Sequence, residues 1–278
     1  MKYRLLALLG LACLLVACSS GLSQTQQPPP IKNRPKVATA VANQPIPVRL
    51  VPTNNSNNSS NSSQTNNSSQ SDNSSQSDKY QPVNVKAELW ADNWFALYLD
   101  DKLIKEDSVP ITTERSFNSE TVTFPATYPM HFSVILKDYI QNDTGLEYIG
   151  TNRQQIGDGG FIGQFTDADT GNMIGVTNEW WKCTVIHTAP LNNACAAEAN
   201  PVAGQGACGF TALPEPTNWK SPTFDDSKWV AASLYSANQV NPKEGYNDIS
   251  WKPEAKFIWG PDHKTNNTVL CRVTVFKP

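Results

Sequence analysis

Apolar and polar positions divide the chain into three parts. A basic start, with Lys2 and Arg4, precedes an apolar run from Leu5 to Ala17 that is broken only by Gly10. From residue 19 to about residue 80 no hydrophobic periodicity exists. Gln26-Gln27-Pro28-Pro29-Pro30 favours extended polyproline-like chain, and Thr53 to Ser77 is nearly all Asn, Ser and Gln. Such a tract has almost nothing to bury against the entropy of ordering, so a flexible linker is predicted. From about Val83 onward, short apolar runs alternate with Asn, Asp, Gly and Pro, and long amphipathic helical periodicity is absent. That is the pattern of an all-β domain.

Individual strands can be placed. Trp94 to Leu99 is an apolar strand, and Asp100-Asp101 then leads into Lys102-Leu103-Ile104. The pair reads as a hairpin with a tight turn, because Asp tolerates positive φ. Ser119–Phe124 and Met130–Leu136 follow as strands. Gly160–Phe165 and Met173–Val176 flank a predicted hairpin loop over Thr166–Asn172, and Lys182–His187, Ala255–Trp259 and Thr268–Phe276 complete the set. About 195 residues suffice for one domain.

The N-terminal apolar run is too short to cross a bilayer as a helix, which needs about 20 apolar residues. It closes on Leu15-Val16-Ala17-Cys18-Ser19-Ser20, which resembles the lipobox of bacterial lipoproteins. The resemblance implies a signal peptide over residues 1–17 and diacylglycerol on the Cys18 thiol; with the change of composition near Val83, a lipidated linker is expected over 18–80 and a folded domain over 81–278. The implied partner is a membrane, held through acyl chains worth about 0.8 kcal/mol per buried CH₂. Ser19, where lipoproteins retained in the inner membrane often carry Asp, implies the outer membrane of a Gram-negative host.

Charge narrows the partners further. The chain has 22 Lys and Arg against 25 Asp and Glu, and cleavage before Cys18 removes two of the cations. The mature chain is mildly acidic, its acids are scattered, and it carries no electrostatic footprint for nucleic acid. Cys183, Cys195, Cys208 and Cys271 remain for an oxidising compartment. Four cysteines allow three connectivities, which sequence alone does not select. The preferred one is Cys195–Cys208, closing a short Ala/Gly/Pro-rich loop, with Cys183–Cys271 tying two predicted strands. A zinc site is disfavoured, since no Cys-x-x-Cys spacing occurs. No cofactor is expected.

Over residues 85–276 a second likeness emerges. Trp90-Ala91-Asp92-Asn93-Trp94 through Leu99-Asp100-Asp101-Lys102-Leu103 resembles a hairpin of galactose-binding-domain-like jelly-roll modules, with Asp100-Asp101 replacing the usual Asn-Gly. Thr177-Asn178-Glu179-Trp180-Trp181-Lys182, the stretch from Trp219 to Phe224-Asp225-Asp226-Ser227-Lys228-Trp229, Phe257-Ile258-Trp259-Gly260 and Leu270-Cys271-Arg272-Val273 resemble that group's later segments, in order. The resemblance implies a jelly-roll β-sandwich and neither a single ligand nor a chemistry.

Catalytic motifs are sparse. Adjacent carboxylates at Asp225-Asp226 point apart on extended chain and read as a structural turn. Asp167-x-Asp169 lacks the distal Glu of a calcium loop and reads as a plain turn. Gly157-Asp158-Gly159-Gly160 reads as a loop bringing backbone close to its neighbours. His131, His187 and His263 accompany no Gly-x-Ser-x-Gly elbow. Among the eight tryptophans, Trp229 and Trp259 are expected in the core. Trp180 and Trp181, adjacent on extended chain, are the ligand-binding candidates, one of them facing outward as a stacking platform. The function expected is a binding module for glycans or cell-envelope components. The alternatives are an assembly lipoprotein contacting another envelope protein and a glycan hydrolase built on scattered carboxylates.

Overall fold

The computed structural model describes residues 81–277; the predicted signal peptide, Cys18 and the linker lie outside them. In chain order the strands are β1 (Val83–Asp92), β2 (Trp94–Leu99), β3 (Lys102–Glu106), β4 (Asn118–Ala126), β5 (Met130–Lys137), β6 (Leu146–Glu147), β7 (Gln155–Ile156), β8 (Gly160–Asp167), β9 (Met173–Val176), β10 (Lys182–Thr188), β11 (Thr211–Ala212), β12 (Val230–Ala231) and β13 (Ser233–Tyr235). A single helical turn, α1 (Ala237–Val240), precedes β14 (Phe257–Trp259) and β15 (Asn266–Val275). One antiparallel sheet runs β13-β14-β8-β1-β4, with β9 also on β8. The other runs β11-β10-β15-β5-β2-β3, with β12 also on β10. A small ribbon pairs β6 with β7.

The two sheets form an all-β sandwich. Val85, Ala87, Leu89 and Ala91 of β1 face Met130, Phe132, Val134 and Leu136 of β5, all fully buried. Aromatic rings knit the layers together: Phe132 stacks on Phe165 at 4.5 Å, and Phe95 lies 5.7 Å from Phe161. The turn between β2 and β3 matches its sequence, with Asp100 at φ 53°. Both disulfides take the preferred pairing. Cys183–Cys271 joins register partners of β10 and β15 inside the core, and Cys195–Cys208 closes a loop over Leu146.

The outer faces are covered as well. Over the first sheet, the segment from Tyr235 to Lys256 encloses Trp90, Ile162, Val176 and Phe257. The Trp90 indole donates to the Glu244 carbonyl at 2.9 Å. Hence β8 is buried on both faces. Gly159 and Gly160 permit this close packing, because a Cβ at either would overlap Trp259 or Val240.

Over the second sheet lies the segment from Leu213 to Trp229. Buried Arg272 holds it down, donating to Asp226 Oδ2 and the Phe224 carbonyl at 3.1 Å and to the Ser221 carbonyl at 2.7 Å. Lys182 also pairs with Asp226, at 2.8 Å. Asp225 accepts from the Ser227 amide, a local turn. The Asp225-Asp226 pair is therefore structural, as its spacing suggested. The expectation for Trp229 needs correction. It is half-buried on this outer face, against Trp219 and Phe224, and it is Trp219 that is enclosed. The aromatic after the turn clamps a covering loop and does not enter the space between the sheets.

Candidate ligand-binding groove

Between β9 and β10 the chain turns sharply. Asn178 Oδ1 accepts from the Trp180 amide at 3.0 Å, and the Asn178 carbonyl accepts from the Trp181 amide at 3.3 Å. This turn sends the two indoles to opposite sides. Trp181 is 1% exposed; its Nε1 donates to the Val176 carbonyl at 3.0 Å and its ring stacks on Phe165 at 6.3 Å. Trp180 is 76% exposed. Of the two predicted ligand residues, only Trp180 presents its ring to solvent, while Trp181 forms the floor beneath.

A groove of about 250 Å³ runs between this turn and the end of β15. Asn178, Trp180, Thr274 and Phe276 rim it over Phe165 and Trp181, and among the described residues no charged side chain lines it. Phe276 is itself 71% exposed. Thr274 Oγ1 bonds His131 Nδ1 at 3.0 Å, so one rim hydroxyl is held in place. The groove offers two aromatic faces and a few neutral polar groups. That suits a ligand with apolar ring faces and hydroxyl edges.

The opposite end of the sandwich holds something the scattered positions of the acids did not reveal. Asp92 ends β1, Asp138 follows β5, Glu147 lies in β6 and Asp158 precedes β8. Asp92, Asp138 and Glu147 are buried. Asp138 Oδ1 has no hydrogen-bond partner, and Oδ2 accepts from Asn267 at 3.4 Å. Burial, and then the neighbouring carboxylates, push Asp92 and Asp138 well above the usual range. Burial pushes Glu147 up to about 7 and also raises Asp158. Among the described residues no group of three or more His, Cys, Asp or Glu is arranged to hold a metal ion.

The acids make stability depend on pH in a fixed direction. Their folded pKa values lie above the unfolded ones of about 4, so the folded chain keeps protons that the unfolded chain releases. This contribution is complete below about pH 4 and is lost as pH rises toward 7. The melting temperature should therefore be higher at pH 5 than at pH 8. Asp138→Asn, which needs no proton, should narrow the gap. A melting temperature that climbs from pH 5 to 8 in the parent would refute this account.

The other motifs resolve simply. Asp167 Oδ1 accepts from the Asp169 and Thr170 amides, and Gly171 at φ 75° closes the hairpin loop. His187 Nδ1 contacts Asn267 Oδ1 at 3.2 Å, far from His131, and His263 lies against the Tyr235 ring. No protein-family model, curated protein or solved structure matches the chain.

Proposed function

We propose that the chain is a lipid-anchored binding module of the bacterial envelope, holding a glycan or other cell-wall component in the Trp180 groove. The observation that carries this reading is the Trp180 indole, open to water beside an uncharged groove and seated above a buried second tryptophan. Trp180 and Phe276 are both exposed at the groove's rim, and adjoining exposed apolar side chains mark surfaces where ligands or partners bind. The ordered motifs resembling galactose-binding-like jelly rolls support it, as does the Asn-, Ser- and Gln-rich sequence ahead of the domain, whose composition is that of a spacer. The anchor rests on Leu15 to Cys18 and on the same reasoning points to the outer membrane; labelled palmitate entering the parent but not Cys18→Ser tests it.

Trp180→Ala tests the groove. Loss of the aromatic contact should weaken binding of a cell-wall polysaccharide by about 5- to 30-fold, or about 1–2 kcal/mol, with an unchanged melting temperature. Binding that survives the substitution at full strength sinks the reading.

One observation favours a second reading, an assembly lipoprotein that contacts another envelope protein. Leu191, Val202, Phe210 and Leu213 are exposed around the Cys195–Cys208 loop. Crosslinking in cells from this loop distinguishes the two, since only a protein partner yields a discrete conjugate there.

A further inference from the structure

The Leu213–Trp229 segment leaves one end of the second sheet's outer face open. There β2, β5 and β15 set Trp94, Lys137 and Thr268 side by side as register partners. Their chain neighbours Phe95, Leu136 and Val269 point into the core, so these three face outward. The chain after β3 rises over them and forms a cleft of about 490 Å³ lined by Trp94, Glu106, Asp107, Ser108, Ile111 and Lys137. A second hollow of about 270 Å³ shares Ile111 and Lys137 and reaches Thr268.

Two groups in this cleft keep unused hydrogen-bonding capacity among the described residues. The Lys137 ammonium lies 4.8 Å from the centroid of the Trp94 ring and makes no ion pair among the described residues. Asp107 is only 5% exposed; its Oδ1 accepts from the Val109 amide at 2.9 Å, the Asn118 side chain lies close by, and the buried Oδ2 has no hydrogen-bond partner among the described residues. A buried carboxylate oxygen without a donor is rare in folded proteins. Burial pushes the Asp107 carboxyl up to about 6, so above neutral pH it is ionised and accepts.

The ligand chemistry follows from the pair. A cation would suit Asp107 and Glu106 and be repelled by Lys137, and an anion would do the reverse. A hydroxyl serves both, donating to the carboxylate and accepting from the ammonium. Beside them, the part of the Trp94 ring that Lys137 leaves uncovered offers an apolar contact for ring C–H groups. We propose that this cleft is a second saccharide subsite, taking a neutral pyranose that stacks on Trp94 and bridges Asp107 and Lys137 through its hydroxyls. It lies at the opposite end of the strands from the Trp180 groove and rests on different residues, so it stands or falls separately.

Saturation-transfer NMR on the full mature chain, in a sugar-free detergent at pH 7.5, tests it. The probes are methyl β-glucoside, methyl β-galactoside and N-acetylglucosamine, with glucuronate and glucosamine as charged comparators. Neutral probes should receive saturation, and Trp180→Ala should retain part of it. Adding Lys137→Met or Asp107→Asn to Trp180→Ala should weaken the remainder at least tenfold. Lys137 is exposed, so its replacement leaves the core untouched, and an unchanged melting curve checks this. Transfer lost with Lys137→Met but untouched by Trp180→Ala supports the cleft and removes the groove. The inference is overturned if Trp180→Ala alone abolishes transfer, if the residual transfer survives both cleft substitutions, if only charged probes bind, or if no probe binds.

Discussion

Trp259→Ala is expected to lower the stability of the domain by about 4 kcal/mol, within the range of about 3–5 for a buried tryptophan cut to alanine. For a domain of this size that is a fall of roughly 8–16 °C in melting temperature. The indole is completely enclosed, and its Nε1 donates to the Asn266 carbonyl at 2.7 Å. It is seated against Gly159, where even one methyl would collide with it. Truncation therefore leaves a cavity and an unpaired carbonyl together. Trp180→Ala removes a similar volume from solvent-exposed surface and should leave the melting temperature where it was. Half-buried Trp229 should fall between them. Thermal unfolding of the three variants checks the order; a Trp259→Ala protein melting within two degrees of the parent contradicts this account of the core.

Replacing Cys183 and Cys271 together by alanine is expected to cost more than the same change at Cys195 and Cys208. The first bridge closes 88 residues of sequence and the second 13. In the chain-entropy model, these loops correspond to about 4.5 and about 3 kcal/mol. Packing widens the difference. Cys183 and Cys271 belong to the main core, whereas Cys195 and Cys208 pack with Leu146 in a small satellite cluster. Urea unfolding of the two double variants measures both losses, and equal losses would argue against the ranking.

Much of this fold was legible as local pattern. Trp94–Leu99, Met130–Leu136, Gly160–Phe165 and Met173–Val176 are apolar runs closed by turn residues, and each became a strand with nearly the expected limits. Yet the longest strand of the first sheet, β1, is not among the runs the apolar pattern marks most clearly. Val83, Val85, Ala87, Leu89 and Ala91 alternate with Asn84, Lys86, Glu88, Trp90 and Asp92. That period of two is blurred by Trp90 among the polar positions and by Ala87 and Ala91 among the apolar ones, so it stands out less than the continuous apolar run of Trp94–Leu99. What lay beyond the sequence was tertiary. Trp90 points away from the inner core and is buried because the chain some 150 residues later folds over it. The four acids at one end stand 46, 9 and 11 residues apart in turn, and only the sandwich gathers them. In the groove, the adjacent pair at 180 and 181 was recognisable as two opposed faces. Which ring faced outward depended on the Asn178 turn. The Trp94 cleft left no local signal, because its floor comes from three strands.

The position of β1 has a mechanical side. The first described residues lead straight into a strand held on both edges, with register partners running from Val83 to Ala91 along β4 and from Val85 to Asp92 along β8. A pull on the N-terminus along this strand loads both ladders in shear, so many hydrogen bonds must yield at once instead of peeling in sequence. If β1 did give way, the Cys183–Cys271 bridge would still keep the intervening stretch from paying out. Force spectroscopy with the domain held at the far end of its strands would register this as a high rupture peak followed by a shortened extension, the behaviour of a domain that withstands tension at its N-terminal end.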